Sequence, residues 1–522
     1  MINLTELAVL QRAATLELIQ DEPTIYYAPG TYTVFLNGQL WQQGNTNVFS
    51  LFGLQPSMYY EARVQFENGQ QAVCNFITPA ESMVADVTQF GAVGDGKTDC
   101  TSALQAAISA CLPGGTVYVP AGTYYTYPLF LKSNTLLYLE KGATLLAGSN
   151  RSRYPILPGM VKNPADGTER SFGTWEGNPL DSYASLITAI DGQNVAIAGE
   201  GVLDGNAAAA QWWVNPKIKK GAWRPRTVFC VRCTGLTLLG ITAQNSPSWT
   251  IHPYYCTNVD ILNITLKNPP DSPNTDGCNP DCCQNVRIIG AAISVGDDCI
   301  SVKSGKYYMA KYHHAASRNI VVRNCLLQRG HGAVVLGSEV SGGVDGLRVQ
   351  QCLMKNTDRG LRIKTRRGRG ASSVIANIEF AQIAMENVQT PFVINMFYFC
   401  DPDGHSDYVK SKQPLPVNEL TPTVQSLYCH HITCTGAQYA GVFFYALPER
   451  PVQNIRLENV SIAFDENATP GLPAMMDDLQ PVKKVALFAA NIQHLALHNV
   501  HFAGQQGETY QLENVQKFEN TL

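Results

Sequence analysis

Residues 284–296 read QNVRIIGAAISVG, two polar residues opening a short apolar alternation, a glycine, and a second short apolar stretch. The same unit recurs as QNVAIAGEGVLDG (193–205), TGLTLLGITAQNS (234–246), TNVDILNITLKNP (257–269), RNIVVRNCLLQRG (318–330), DGLRVQQCLMKNT (345–357) and ANIEFAQIAMENV (376–388). The first apolar residues, Val195, Leu236, Val259, Val286, Ile320, Leu347 and Ile378, follow one another at 23 to 41 residues, and similar units return at Leu427, Ile455 and Leu495. A strand, a turn and a second strand cannot bury an inward face alone, so such repeats must stack on one another. The expected fold is all-β, a right-handed parallel β-helix.

An open solenoid end exposes unpaired backbone and apolar interior and needs a cap. TDCTSALQAAISAC (98–111) has helical spacing at Leu104, Ala107, Ile108 and Cys111, with Thr98 or Asp99 as the expected N-cap. Residues 87–522 are therefore expected to form the β-helix domain with its cap helix. Residues 1–78 instead read as short strands, with Asn37-Gly38 and Asn68-Gly69 at turns, and are expected to form a small β-sandwich. Its Tyr-rich strand after LQPSMYY resembles a fibronectin type III domain, in which an aromatic anchors a corner. Residues 79–86 are expected to be a linker. Loops of about 149–183 and 206–224 interrupt the repeat and carry Trp175, Trp212, Trp213 and Trp223; insertions in a solenoid usually build its binding face.

The chain of 522 residues carries 38 Lys+Arg against 42 Asp+Glu, giving a net charge of −4 and no general attraction to nucleic acid or acidic membranes. No apolar run approaches the ~20 residues of a spanning helix. The opening MINLTELAVLQRAATLELIQ lacks the pattern of a secretory leader. Fifteen cysteines, an odd number that includes adjacent Cys282 and Cys283, fit a reducing compartment better than a disulfide framework. A cytoplasmic location is expected, or a periplasmic or secreted one if a leader has been removed.

Four clusters lie one coil apart: Asn274-Thr275-Asp276-Gly277, Gly296-Asp297-Asp298, Gly330-His331-Gly332 and Arg362-Ile363-Lys364. Stacked coils would converge three aspartates, a histidine, an arginine and a lysine on one patch, about 5 Å apart per coil. Glycosidic hydrolysis by inversion needs one carboxyl to protonate the leaving oxygen and one carboxylate to activate water. Crowded carboxylates supply both, because like charges at short range push their pKa values apart. Arg and Lys two positions apart on a strand face one side and suit a carboxylated sugar.

NTDG, GDD, GHG and RIK, in this order, resemble the signature of glycoside hydrolase family 28, the polygalacturonases, and FGAVGDGKTDCTSALQAAI resembles the opening of many pectin-degrading β-helices. The resemblance, spanning roughly residues 86 to 510, implies a right-handed parallel β-helix and inverting hydrolysis of galacturonan. It implies Asp297 as general acid, Asp276 and Asp298 as activators of water, His331 as an aid to protonation, and Arg362 and Lys364 as ligands of the galacturonate carboxylate. Asn274, Lys303, Arg224 and Arg226 are further candidate substrate contacts. No cofactor and no metal are implied. The front domain and long loops resemble bacterial exo-acting members, and exo action is expected.

Each cluster has a plainer reading. NTDG alone is an Asx turn, GDD a solvated turn, GHG a tight loop, and RIKTRRGRG (362–370) a basic run able to touch phosphate. GAVGDGKT (91–98) satisfies the P-loop pattern, yet no βαβ alternation follows, and the expectation is a turn into the cap helix. Cys278, Cys282, Cys283 and Cys299 match no paired zinc spacing and are expected inside the coils. The competing functions are endo-polygalacturonase, rhamnogalacturonan or xylogalacturonan hydrolase, pectate lyase, and a non-catalytic carbohydrate-binding solenoid. The oligomeric state is not readable from the sequence.

Overall fold

The computed structural model describes residues 2–521. Parallel strands of successive coils stack into a solenoid. Gln284–Ile289 pairs with Thr257–Leu262 before it and Ser317–Arg323 after it. Ala292–Ser294 likewise lies between Thr265–Lys267 and Leu326–Gln328, and Ile300–Val302 pairs with Val334–Gly337, which pairs with Arg359–Lys364. The register joins the repeat's leading apolar residues one to the next, from Val195 through Leu236, Val259, Val286, Ile320, Leu347, Ile378, Leu427 and Ile455 to Leu495. All ten are buried in one continuous core.

The polar residues ahead of each unit turn the corner. Asn258, Asn285 and Asn319 are left-handed, at φ 58°, 55° and 52°, a conformation that asparagine tolerates better than most residues. Their side chains form a ladder, Asn285 Nδ2 donating to Asn258 Oδ1 at 3.0 Å and Asn319 Nδ2 to Asn285 Oδ1 at 2.8 Å.

The cap helix spans Thr101–Ala110 and buries Leu104, Ala107 and Ile108. Its N-cap is Cys100, not Thr98 or Asp99; Asp99 sits one residue earlier and accepts from the Thr101 amide and hydroxyl. The P-loop-like stretch closes on itself: the Asp95 carboxylate accepts from the amides of Lys97 and Thr98 and from the Thr98 hydroxyl, so these groups are already bonded.

The front region is a seven-stranded antiparallel sandwich. Ile2–Val9, Ala13–Gln20 and Val48–Phe52 form one sheet; Gln39–Thr46, Tyr27–Leu36, Tyr59–Phe66 and Gln71–Ile77 form the other. The Tyr60 hydroxyl accepts from the Gln55 amide at 2.8 Å, fastening the corner ahead of its strand. The segment expected to be a linker is shorter than 79–86, because Val84–Asp86 already pairs in parallel with the first coil. The sandwich is docked rather than tethered: Val48 packs on Leu262 and Ile289, and Phe52 lies against the cluster of Leu136, Tyr138 and Leu239. Gly240 and Gly290 permit this approach, since a Cβ there would lie 2.2 Å from Phe52 Cζ and 2.6 Å from Val48 Cγ1. No helix among the described residues is long and apolar enough to cross a membrane.

Buried Glu17 fastens this interface, accepting from Arg323 Nε at 2.8 Å, Arg323 Nη2 at 2.5 Å and Asn324 Nδ2 at 2.9 Å. Glu17→Ala strands both donors, and calorimetry of the full chain is expected to show a loss of about 2–4 kcal/mol.

Candidate active site

The site forms where the second row of strands turns into the third. Cys278 bridges in parallel to Ile300, and Ile300 pairs with Val334, which pairs with Leu361. Asp276 and Asp298, each two residues ahead of its paired position, therefore share one level on neighbouring coils, and Asp297 and His331 share the next. Asp297 and Asp298 lie in a bend, where the Asp298 amide donates to the Asp297 carboxylate at 2.9 Å. That bend aims both side chains the same way, which an extended strand would not do. One carboxylate oxygen from each of Asp276, Asp297 and Asp298 lies within 4.8 Å of the others.

Cations surround the three acids unequally. Lys364 Nζ donates to Asp298 Oδ2 at 2.7 Å, and Arg362 Nη1 is 3.6 Å from Asp298 Oδ1. Burial works against the charge on Asp298, but Lys364, Arg362 and Lys303 overcome it and hold its pKa at about 2. Asp276 is equally buried, and burial followed by the charge of Asp297 pushes it up to about 8. Its neighbours do not compensate: Asn279 Nδ2 donates at 2.7 Å, while Lys303 Nζ stands 3.7 Å away and is held at 2.9 Å by buried Glu339. The site thus keeps one carboxyl protonated beside one ionised, the division that acid–base work requires. Such a cluster of oxygens also has the donor type for a cation, but lysine and arginine already occupy its back.

His331 is exposed, its Nδ1 3.7 Å from Asp297 Oδ1. Arg362 and Lys364 face the same side of their strand, as spaced, and converge on Asp298. Arg224 is buried, donating to the Pro247 and Pro273 carbonyls and, at 2.6 Å, to Asn274 Oδ1; it fixes Asn274 instead of facing solvent. Arg226 does not face the cleft. It is 1% exposed, donates to the Thr174 carbonyl and stands 5.4–5.5 Å from the rings of Trp175, Phe229 and Trp249. The basic run after Lys364 is internal wiring: Arg366 and Arg369 bind Asp401, and Arg367 binds Glu449 and the carbonyls of Tyr408 and Ser411. These bonds pin the loop after Phe397 as a wall of the cleft, leaving no basic face for phosphate. Cys278, Cys282, Cys283 and Cys299 are all buried and free.

The cleft around the aspartates is also lined by Glu176, Lys217, Trp249, Glu339, Tyr398 and Asp401, none of which the sequence reading singled out. They come from loops and neighbouring coils outside the four motifs. The Trp-bearing loops meet beside it, in an adjoining cavity: Trp175 and Trp223 stack at 4.8 Å with planes 5° apart, while Trp212 is buried in a tyrosine cluster.

The sequence model of glycosyl hydrolases family 28 matches residues 167–469. The chain belongs to this family. A second model, described as rhamnogalacturonase A/epimerase, pectate lyase-like, matches residues 84–139 of this family 28 chain. A probable polygalacturonase of Vitis vinifera is 31% identical over 72% of the chain and 74% of its own length. An exopolygalacturonase of Arabidopsis thaliana is 30% identical over 79% and 83%. The crystal structure of a hyperthermoactive exopolygalacturonase from Thermotoga maritima superposes with TM-score 0.66 at 26% identity, covering 82% of this chain and 93% of that one. The family 28 exopolygalacturonase of Yersinia enterocolitica shares the fold over 99% of this chain and 98% of its own, with TM-score 0.73 at 21% identity.

A carboxyl whose pKa is raised by folding stabilises the native state least once it must ionise, so the penalty from Asp276 grows as pH rises from about 4 towards 8. Asp276→Asn removes this penalty. Its stability relative to wild type, taken from melting curves, is expected to rise between pH 4 and pH 8, by on the order of a few kcal/mol of unfolding free energy at the upper end.

Proposed function

We propose that this family 28 enzyme hydrolyses α-1,4 bonds between galacturonate residues, acting from the chain end and inverting the anomeric centre. The observation that carries the proposal is the convergence of Asp276, Asp297 and Asp298 within 4.8 Å, backed by buried Lys303, Arg362 and Lys364. The family match and the exopolygalacturonase relatives support the substrate and the mode.

Asp297 is the acid. It is the least buried of the three and faces exposed His331, so the leaving oxygen has room there, and Asp297 passes to that oxygen the proton that the cluster holds on Asp276 at rest, leaving Asp276 a carboxylate. Water attacks from the Asp276–Asp298 side, where Asp298 Oδ1 and Asn279 Oδ1 are buried without a hydrogen-bond partner. Asp298, held ionised, takes the proton of the attacking water while Asp276 orients it. Arg362 is the cation left to meet the carboxylate of the departing sugar, since Lys364 is committed to Asp298. The carboxylates are closer together than the ~6.5–9.5 Å usual for inverting enzymes. Here two carboxylates on adjacent coils grip one water, and that water, not an aspartate, is the nucleophile. Thirteen of the fifteen free thiols are buried, which fits a reducing compartment and oligogalacturonides as the working substrate.

The test is product analysis on polygalacturonate and defined oligogalacturonides, without added metal, for wild type and Asp297→Asn. Monogalacturonate or digalacturonate alone from the earliest times is expected, with a loss of about 10²–10⁴-fold in the variant. A ladder of oligomers would mean endo action, an ultraviolet-absorbing unsaturated product a lyase, and binding without turnover a non-catalytic solenoid. Proton NMR of fresh product is expected to show the β-anomer first. Activity is expected to fall as pH passes about 8, where the cluster gives up the proton now held on Asp276.

A further inference from the structure

Trp175 and Asn178 exchange backbone hydrogen bonds of 2.9 and 3.1 Å, closing a two-residue hairpin turn over Glu176 and Gly177. Both central residues are left-handed, at φ 45° and 74°. Asn-Gly is the ordinary occupant of such a turn, and a glutamate there adopts a conformation it rarely takes. The turn is firmly seated: the Lys306 amide donates to the Gly177 carbonyl at 2.9 Å, and a Cβ on Gly177 would lie 2.9 Å from Glu339 Cβ. The turn therefore holds the Glu176 carboxylate at a fixed position.

Glu176 Oε1 meets Lys217 Nζ at 3.3 Å. The pair borders both the cleft of the aspartates and an adjoining cavity that contains Trp175, Trp223 and Phe399. Lys217 belongs to the 206–224 loop, which is also anchored: Arg151 lies 4.2 Å over Trp212 and donates to the Ala210 carbonyl, and Trp213 Nε1 donates to the Ser246 carbonyl. Of the three lysines lining the cleft, Lys303 and Lys364 are buried and bound to Glu339 and Asp298. Lys217 has a side chain 71% exposed and a single carboxylate partner, so it can exchange that partner for another.

The direction of the chain follows from the acid. With Asp297 as the acid beside His331 and Arg362 meeting the departing sugar, as proposed above, the leaving side is theirs, while Glu176 and Lys217 line the cleft that His331 and Arg362 do not. The sugar under attack therefore points its non-reducing end at Glu176 and Lys217. We propose that Glu176 and Lys217 form the end wall of the cleft and read the non-reducing terminal uronate, Lys217 taking its carboxylate and Glu176 accepting from its hydroxyls. This inference rests on the exo-hydrolase reading above.

Glu176→Asn keeps the turn, at equal or higher melting temperature, and removes the carboxylate; Lys217→Ala removes the cation from an exposed position. Both are assayed as full chains on oligogalacturonides labelled at the reducing end. In each variant KM is expected to rise about tenfold, the value of one charge-assisted contact, with kcat changed much less. In the double variant products of mixed length are expected where wild type releases one. Unchanged KM and product length in both variants would overturn the assignment, as would a loss confined to Glu176→Asn that tracks a fall in its melting temperature. Wild type that hydrolyses nothing, or cuts internally from the outset, would fail the exo-hydrolase reading itself, an outcome separate from either variant result.

Discussion

In-register stacking of parallel coils is the constraint on which the rest of this protein depends. A coil has no independent core, so each apolar residue must sit directly over its counterpart in the coil below. Once that register is fixed, everything at a given position along the coil is fixed with it. Val286 over Val259 and under Ile320 places Asp298 beside Asp276, and Arg362 and Lys364 two coils further on, with no additional design. The solenoid delivers charges of both signs to one patch at a spacing that solution would not tolerate, and burial makes their arrangement consequential.

The patch is asymmetric because the cations are. Lys364 and Arg362 are directed at Asp298, whereas Lys303, the cation nearest Asp276, is drawn off by Glu339. Two aspartates with similar burial and similar backbone setting thereby acquire opposite protonation. The asymmetry is maintained from behind by the RRGRG segment, whose arginines tie down the 397–413 wall, and from the side by Arg224, which holds Asn274. A run that looks like a surface for phosphate is a set of buried struts.

Much of this was legible in the sequence because a solenoid writes its register into the spacing of its repeats. Every leading apolar residue identified from the pattern lies in the same stacked column, and the four motifs fall at the same edge of the helix. The cap helix was legible from its apolar stripe, although its first residue was displaced by the Asp99 turn that precedes it. What spacing does not encode is the destination of a loop. Glu176, Lys217 and Asp401 reach the cleft through insertions whose paths depend on aromatic packing and buried arginines, and Arg226, expected among the substrate contacts, is sealed among rings. Trp249 and Glu339 lie on coils but outside the motifs, so no local signal marks them.

The central claim is that coil stacking splits the three aspartates into differently protonated groups before any substrate arrives. Carboxyl ¹³C NMR of the aspartate-labelled enzyme, with signals assigned through Asp276→Asn and Asp298→Asn, measures this directly. The account predicts one carboxyl titrating near pH 8 and one remaining ionised to about pH 2. Titration of all three together near the ordinary aspartate value of about 4 would contradict it.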